Sequence, residues 1–177
     1  MQDTEPLVKM VGVEKSFGAA RALDGVDFEL WPGECVGLVG HNGAGKSTLM
    51  NVLSGQVSPD RGTLAIAGQP VPPVYDPAVS VRMGVRCVFQ ELSLCPNLTV
   101  AENLRIMHPS VRGPGWRRRA SRIILEALER IFPGHGIRAD AEVGELSIAR
   151  RQMVEIARAF TEVETPLRFV ILDEPTS

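Results

Sequence analysis

The segment GHNGAGKST, residues 40–48, carries the residue types from which a phosphate cradle is made. It fits the spacing G-x-x-x-x-G-K-[ST] at every fixed position. Gly40, Gly43 and Gly45 let the backbone curl so that successive N–H groups can converge on an anion, where side chains would obstruct it. Lys46 can bridge the β- and γ-phosphates of a nucleotide, and the Ser47 hydroxyl can ligate Mg²⁺. His41, Asn42, Ala44 and Thr48 complete the loop. A glycine-rich turn that merely joins strand to helix is the ordinary alternative, and the flanks decide against it. CVGLVG (35–40) reads as a short buried strand, and KSTLMNVLSG (46–55) as a helix closed by Gly55. The N-terminus of that helix would add its partial positive charge to the phosphate site.

A second set of chemical groups stands near the end of the chain. FVILDE (169–174) is an apolar strand closed by paired carboxylates. Asp173 at its edge can hold Mg²⁺ through water, and Glu174 can polarise an attacking water as general base. An Asp-Glu pair alone is more simply a solvated strand end; the phosphate loop upstream reverses that preference. A small-molecule kinase could use the same loop, but a Glu directly after the Asp favours hydrolysis by water.

The elements that must position these groups are legible at intervals. Residues 7–13 and 25–30 read as strands, joined to the loop by the turn WPGE (31–34). After the first helix, SPDRG (58–62) turns into the strand TLAIAG (63–68), and QPVPPVYDP (69–77) reads as a surface loop. Asp76 is placed to cap a short helix with Pro77 at its first position. VRCVFQ (85–90) reads as a second buried strand ending in Gln90. Thr99 and Glu102 make a capping box for TVAENLRIM. Residues 116–132 predict a helix with Ile123, Ile124, Ala127, Leu128 and Ile131 on one face, and Ser147 opens another. Strands alternating with helices predict an α/β fold. Residues 1–94 with 161–177 would form a nucleotide-binding core, and 95–160 a helical insertion.

The bulk properties are unremarkable by comparison. At 177 residues the chain fits one domain, or one domain with a small insertion. A net charge of −2 points to no nucleic-acid partner. The arginines 117, 118, 119 and 122 form a local cluster, read as a solvated helix face. Cys35, Cys87 and Cys95 lack C-x-x-C spacing and suit buried thiols in a reducing compartment. The N-terminal ten residues show no secretory signal, and no apolar run approaches the ~20 residues of a membrane span. A soluble, intracellular chain is expected.

Taken together, these motifs resemble the nucleotide-binding domain of an ATP-binding cassette transporter, over nearly the whole chain. That family has the P-loop fold: a RecA-like core sheet, an antiparallel β part and an α-helical subdomain. The resemblance implies several roles. Phe17 in KSFG would stack on adenine. Gln90 would ligate Mg²⁺, sense the γ-phosphate and couple to a membrane subunit. ELSIARRQ (145–152) is similar to the signature that usually reads LSGGQ, so Ser147, Ile148 and Ala149 would face the ATP of a partner cassette. Here Ile148 and Ala149 replace glycines, and Arg150 stands where the glutamine would be.

FQELSLCPNLTVAENL (89–104) and LSIARRQMVEIARAF (146–160) are similar to importers of monosaccharides such as ribose, xylose and galactose. In that group two cassettes are usually fused, and this chain resembles the first. The implied cofactors are ATP and Mg²⁺. The implied partners are transmembrane permease subunits, a second cassette and, indirectly, a periplasmic or extracellular sugar-binding protein. The implied location is peripheral, on the cytoplasmic face of the cell membrane. Family members continue past the paired carboxylates into a further core strand and a switch histidine, and His41, His108 and His135 are not in matching positions. A chain ending at Ser177 is therefore expected to be weakly stable and nearly inactive, with two apolar strands left unpaired. A soluble cassette ATPase without a membrane partner, or an inactive nucleotide-binding fragment, are the other readings the sequence allows.

Overall fold

The computed structural model describes residues 5–173, so Glu174 lies outside the described residues. The chain divides into two compact units, one reaching Val85 and one starting at Arg86.

The first unit is built on a four-stranded antiparallel sheet. Strands β1 (Val8–Phe17) and β2 (Ala20–Leu30) form a hairpin, and β3 (Arg61–Ile66) pairs with the other edge of β1. The two-residue β4 (Gln69–Pro70) then pairs with β3, giving the order β2-β1-β3-β4. One face is apolar: Val8, Met10, Val13, Leu64 and Ile66 are buried. The hairpin outruns the strands expected at 7–13 and 25–30, because its far end is polar and solvent-facing. There Lys15 Nζ lies 2.8 Å from Asp60 Oδ1, and Asp60 Oδ2 accepts from Ser16 N–H at 2.8 Å. Helix α1 (Lys46–Leu53) buries Leu49, Val52 and Leu53. Its C-terminal carbonyls, which no helical N–H can reach, are taken by side chains: Tyr75 O–H donates to Leu53 O at 2.6 Å and Ser80 O–H to Ser54 O at 2.9 Å. Ser80 belongs to α2 (Pro77–Arg82), whose cap is the expected one, Asp76 Oδ1 accepting from Val79 N–H at 2.8 Å.

One expectation fails in this unit. Residues 35–40 form no strand and are exposed along their whole length, with Val39 97% accessible. A strand exists only when a neighbour accepts its hydrogen bonds, and no strand among the described residues pairs with this segment. Apolar composition read the residue types correctly and the environment wrongly. The same error touches the cysteines. Cys35 is exposed and Cys87 and Cys95 are half-buried, so none of the three is the buried thiol expected.

The second unit pairs strand β5 (Val85–Val88) with β6 (Phe169–Leu172) and sets three helices between them in sequence. These are α3 (Val100–Met107), α4 (Trp116–Ile131) and α5 (Ile148–Ala159). Their shared core includes Val100, Leu104, Ala120, Ile124, Leu128, Val154 and Ala157. Thr99 opens α3 with the expected capping box: Thr99 Oγ1 accepts from Glu102 N–H at 3.2 Å, and Glu102 Oε2 accepts from Thr99 N–H at 3.0 Å. Asn103, fully buried, then ties down the loop before it. Its Oδ1 accepts from Cys95 N–H at 2.7 Å, and its Nδ2 donates to the carbonyls of Cys95, Leu98 and Thr99. The returning loop closes on this clip, with Val143 N–H on Leu98 O and Gly144 N–H on Pro96 O at 2.6 Å. A Cβ on Gly144 would lie 2.9 Å from Pro96 O, so only glycine allows so close an approach.

A second buried clip ties the end of α3 to the segment before β6. His108, 1% exposed, places Nδ1 at 2.5 Å from Glu164 Oε2 and Nε2 at 2.7 Å from Thr161 Oγ1. Ser110 donates both N–H and O–H to Glu164 Oε1. Partial burial opposes ionisation of Glu164, but the bonds from Ser110 and His108 outweigh it and hold the carboxyl at about 2, below its ordinary 4.5. Burial lowers the His108 pKa against the opposing pull of Glu164. Both groups have depressed folded-state values, so the unfolded chain binds their protons first as pH falls. Stability is therefore expected to decline from the ordinary histidine range downward, and the Glu164 share to be lost between pH 4.5 and about 2. Melting curves of the Glu164→Gln variant should lose that acid limb; an unchanged limb would remove Glu164 from the account.

Candidate nucleotide-binding site

The phosphate loop lies in the first unit, and its glycines are required by geometry rather than composition. Gly43 and Gly45 have φ of 86° and 84°, in the left-handed region that side chains disfavour. A Cβ on Gly45 would also sit 2.4 Å from Ala22 O of β2, so position 45 is constrained twice. Ala44 N–H donates to His41 O at 3.1 Å, tightening the curl, and His41 Nδ1 lies 2.9 Å from Asn42 O. The loop runs straight into α1, whose first residue is Lys46 and whose N-cap Gly45 has no side chain to offer. The first-turn N–H groups of α1 are thus uncapped by any side chain, the condition under which a helix end receives an anion. Lys46 Nζ donates to Gly40 O at 2.7 Å and to His41 O at 3.0 Å. Two of its three protons are used in holding the loop, and one remains for a ligand. Ser47 is exposed and Thr48 half-buried in the same turn. Phe17 closes β1 with its ring 51% exposed and Lys15 Nζ 5.6 Å from the ring centroid, so it is no core aromatic.

The other candidate residues belong to the second unit. Strand β5 ends at Val88 rather than at Gln90, which sits exposed in a bend two residues on. The reason is pairing: Asp173 N–H donates to Val88 O at 2.9 Å, and β6 ends one residue earlier at Leu172. That bond brings the Asp173 backbone beside the strand from which Gln90 emerges. Burial and the neighbouring Asp173 charge push the Cys87 thiol up to about 12, so it stays protonated and inert. Gln90 also lines a narrow crevice with Val88, Phe89 and Leu92 on its own side and Gln152 and Ile156 of α5 opposite. The same α5 opens at Ser147, whose Oγ accepts from Arg150 N–H at 3.4 Å as its N-cap. Ser147, Ile148, Ala149 and Arg150 are all exposed, Ile148 by 70%.

Two sets of residues that the sequence reading passed over position this helix. Arg151 reaches back under its N-terminus, Nε to Leu146 O at 2.9 Å and Nη2 to Gly144 O at 2.6 Å. Deeper in, Glu155 and Arg158 pair almost fully buried, with Arg158 Nη2 at 2.9 Å from both carboxylate oxygens. Ser93, three residues beyond Gln90, donates to Glu155 Oε1 at 2.6 Å and accepts from Arg158. No sequence signal marked this pair, because its charges look like any exposed helix face until the loop at 91–95 covers them.

A strand hairpin, a helix-capping glycine loop with an inward lysine, and a carboxylate at the end of an apolar strand define a nucleotide-binding protein of the P-loop class. The chain belongs to the ABC transporter family, whose model matches residues 23–177. It is 46% identical over 175 residues to the ribose import ATP-binding protein RbsA 1 of Rubrobacter xylanophilus, covering 97% of this chain and 34% of that protein. It is 44% identical to the arabinose import ATP-binding protein AraG 1 of Burkholderia lata, over 93% of this chain and 32% of that one. The chain thus spans about a third of the length of these curated relatives. Among solved structures, a nucleotide-free ATP-binding cassette from an ABC transporter superposes with a TM-score of 0.77 at 28% identity. That match covers 98% of this chain and 70% of the other. The α/β P-loop fold expected from the motifs is that of the cassette it superposes on. Among the described residues it comprises a four-stranded antiparallel sheet, the two-stranded sheet β5-β6 and a helical part.

Proposed function

We propose that this chain is the first nucleotide-binding cassette of a protein whose ATP hydrolysis drives import of a monosaccharide. The observation that carries the nucleotide part is the doubly constrained Gly45 placing Lys46 at the head of an uncapped helix. The sugar part rests on relatives named for ribose and arabinose import that align with 93–97% of the chain.

In this reading residues 1–94 and 161–177 form the nucleotide-binding core, and 95–160 the helical signature subdomain. Loop residues 40–48 cradle the phosphates, and Phe17 stacks on adenine. Mg²⁺ would be held by the Ser47 hydroxyl, the Gln90 amide oxygen and Asp173, a hard-oxygen set that suits this ion. When bound it neutralises phosphate charge. Lys46 and the N–H cradle stabilise the charge that develops on the transferred group. Glu174 orients and deprotonates the attacking water. Ser147 with Ile148 and Ala149 faces the nucleotide of a second cassette, and the loop near Gln90 carries closure to permease subunits. A sugar-binding protein outside the membrane acts through that permease. The cassette is thereby peripheral to the inner face of the membrane; among the described residues no helix is long and apolar enough to cross it.

The deciding experiment is ATP turnover of the full-length gene product reconstituted with its permease, with and without a sugar-loaded binding protein. Stimulation by a pentose or hexose supports import; sugar-independent turnover with no co-purifying membrane subunit would favour a cassette ATPase of another role. In the same preparation Glu174→Gln is expected to keep ATP binding and abolish turnover. Persistent turnover would assign the base elsewhere.

A further inference from the structure

Between residues 103 and 125 the sequence holds six arginines and not one aspartate or glutamate. Set those six apart, and the rest of the chain carries 21 Asp and Glu against 13 Lys and Arg. The fold gathers them. Arg105 at the end of α3 lies 4.4 Å from the Trp116 ring centroid, and Arg117 of α4 lies 4.7 Å from the same ring. Trp116 is half-buried, so it joins the end of one helix to the start of the other. Arg112 in the intervening loop is exposed, as are Arg117, Arg118, Arg119 and Arg122. Arg118 and Arg122, four residues apart, stand on the side of α4 away from its buried stripe of Ala120, Ile124, Ala127 and Leu128.

Little within the chain neutralises this charge. Glu102 sits 3.4 Å from Arg117 and Glu126 4.0 Å from Arg122. Among the described residues no carboxylate pairs with Arg105, Arg112, Arg118 or Arg119; Arg119 instead donates to the carbonyls of Pro114 and Arg112. Three arginines also occupy the first turn of α4, where no acidic residue and no side-chain cap offset the positive helix end. The cluster is thus held together against its own repulsion, and a solvated face has no need of that arrangement.

We propose that this arginine shoulder docks the chain directly on an anionic phospholipid surface. The charge complements that surface, whose mobile headgroups can match guanidiniums at uneven spacing. Trp116, with Ile106 half-exposed beside Arg105, supplies the apolar and aromatic groups that settle at headgroup depth. A polyanion with fixed spacing, such as a nucleic acid, would also meet the net negative charge of the remaining chain. Docking of this kind needs no permease, so vesicles without one test it separately from the transport reading.

The experiment is co-sedimentation of the intact chain with vesicles of phosphatidylcholine, alone or mixed with phosphatidylglycerol. Binding is expected only to the mixed vesicles and is expected to fall as salt rises. Each arginine at the surface contributes about fivefold, so Arg118→Gln with Arg122→Gln should weaken partition about 25-fold. Both positions are exposed and glutamine propagates a helix as arginine does, so circular dichroism should be unchanged. Arg118→Lys with Arg122→Lys should retain most of the binding. Equal partition to neutral vesicles, no partition to anionic ones, full binding after Arg118→Gln with Arg122→Gln, or displacement from vesicles by an oligonucleotide would each overturn the proposal.

Discussion

Replacing Arg158 with alanine is expected to cost about 3–5 kcal/mol of folding stability, measured by urea unfolding. Its partner Glu155 is 3% exposed, and Arg158 Nη2 binds both of its carboxylate oxygens at 2.9 Å. Without the guanidinium, a buried carboxylate keeps one hydroxyl donor, Ser93, and loses its countercharge. The cost is the stranded charge, not the worth of the pair. Replacing both residues by methionine should therefore cost far less than the single change, since apolar side chains of similar length fill the same space. If the single variant unfolds at the parental urea midpoint, water reaches Glu155 and the clip is not sealed. The effect should extend to function. Ser93 lies on the loop three residues after Gln90, and Glu155 is on the helix that Ser147 opens, so the pair ties that loop to that helix. A variant that loosens it should also lower ATP turnover of the full-length protein.

The second large effect is expected at Lys46. Its ammonium holds two loop carbonyls, Gly40 O at 2.7 Å and His41 O at 3.0 Å, with a third donor for phosphate. Alanine there removes the one charge-assisted bond left for the ligand, worth about 1.5–3 kcal/mol, a loss of about tenfold or more in ATP affinity. It also frees the two carbonyls that shape the curl. Titration calorimetry reads the affinity, and an unchanged value would mean that the N–H cradle alone binds the nucleotide.

What the sequence made legible was local chemistry. Asp76 before Pro77, Thr99 three residues before Glu102, and Ser147 before an amphipathic run each satisfy helix-end N–H groups within a few residues, and all three cap as expected. The stripe on α4 was legible for the same reason: Ile124, Ala127 and Leu128 recur at the helical period and are buried. Gly40, Gly43 and Gly45 were legible as a place where the backbone curls; Gly43 and Gly45 do so at positive φ, which side chains disfavour, while Gly40 does not. Three features were not legible, and each depends on something far along the chain. Whether 35–40 becomes a strand depends on a neighbour, not on its own valines. Where β5 stops depends on Asp173, 85 residues after Val88. Whether Arg158 and Glu155 face water depends on Ser93 and the loop that carries it.

The exposed run at 35–40 also has a practical side. Its first residue, Cys35, presents an accessible thiol, whereas burial and Asp173 push the Cys87 thiol's pKa up to about 12 and keep it protonated at neutral pH. Thiol-reactive probes discriminate on those two properties, accessibility and thiolate fraction. A fluorophore attached at Cys35 would stand five residues upstream of Gly40, on backbone that no strand among the described residues pairs with. The chain thus carries its own attachment point for an optical reporter of the phosphate loop.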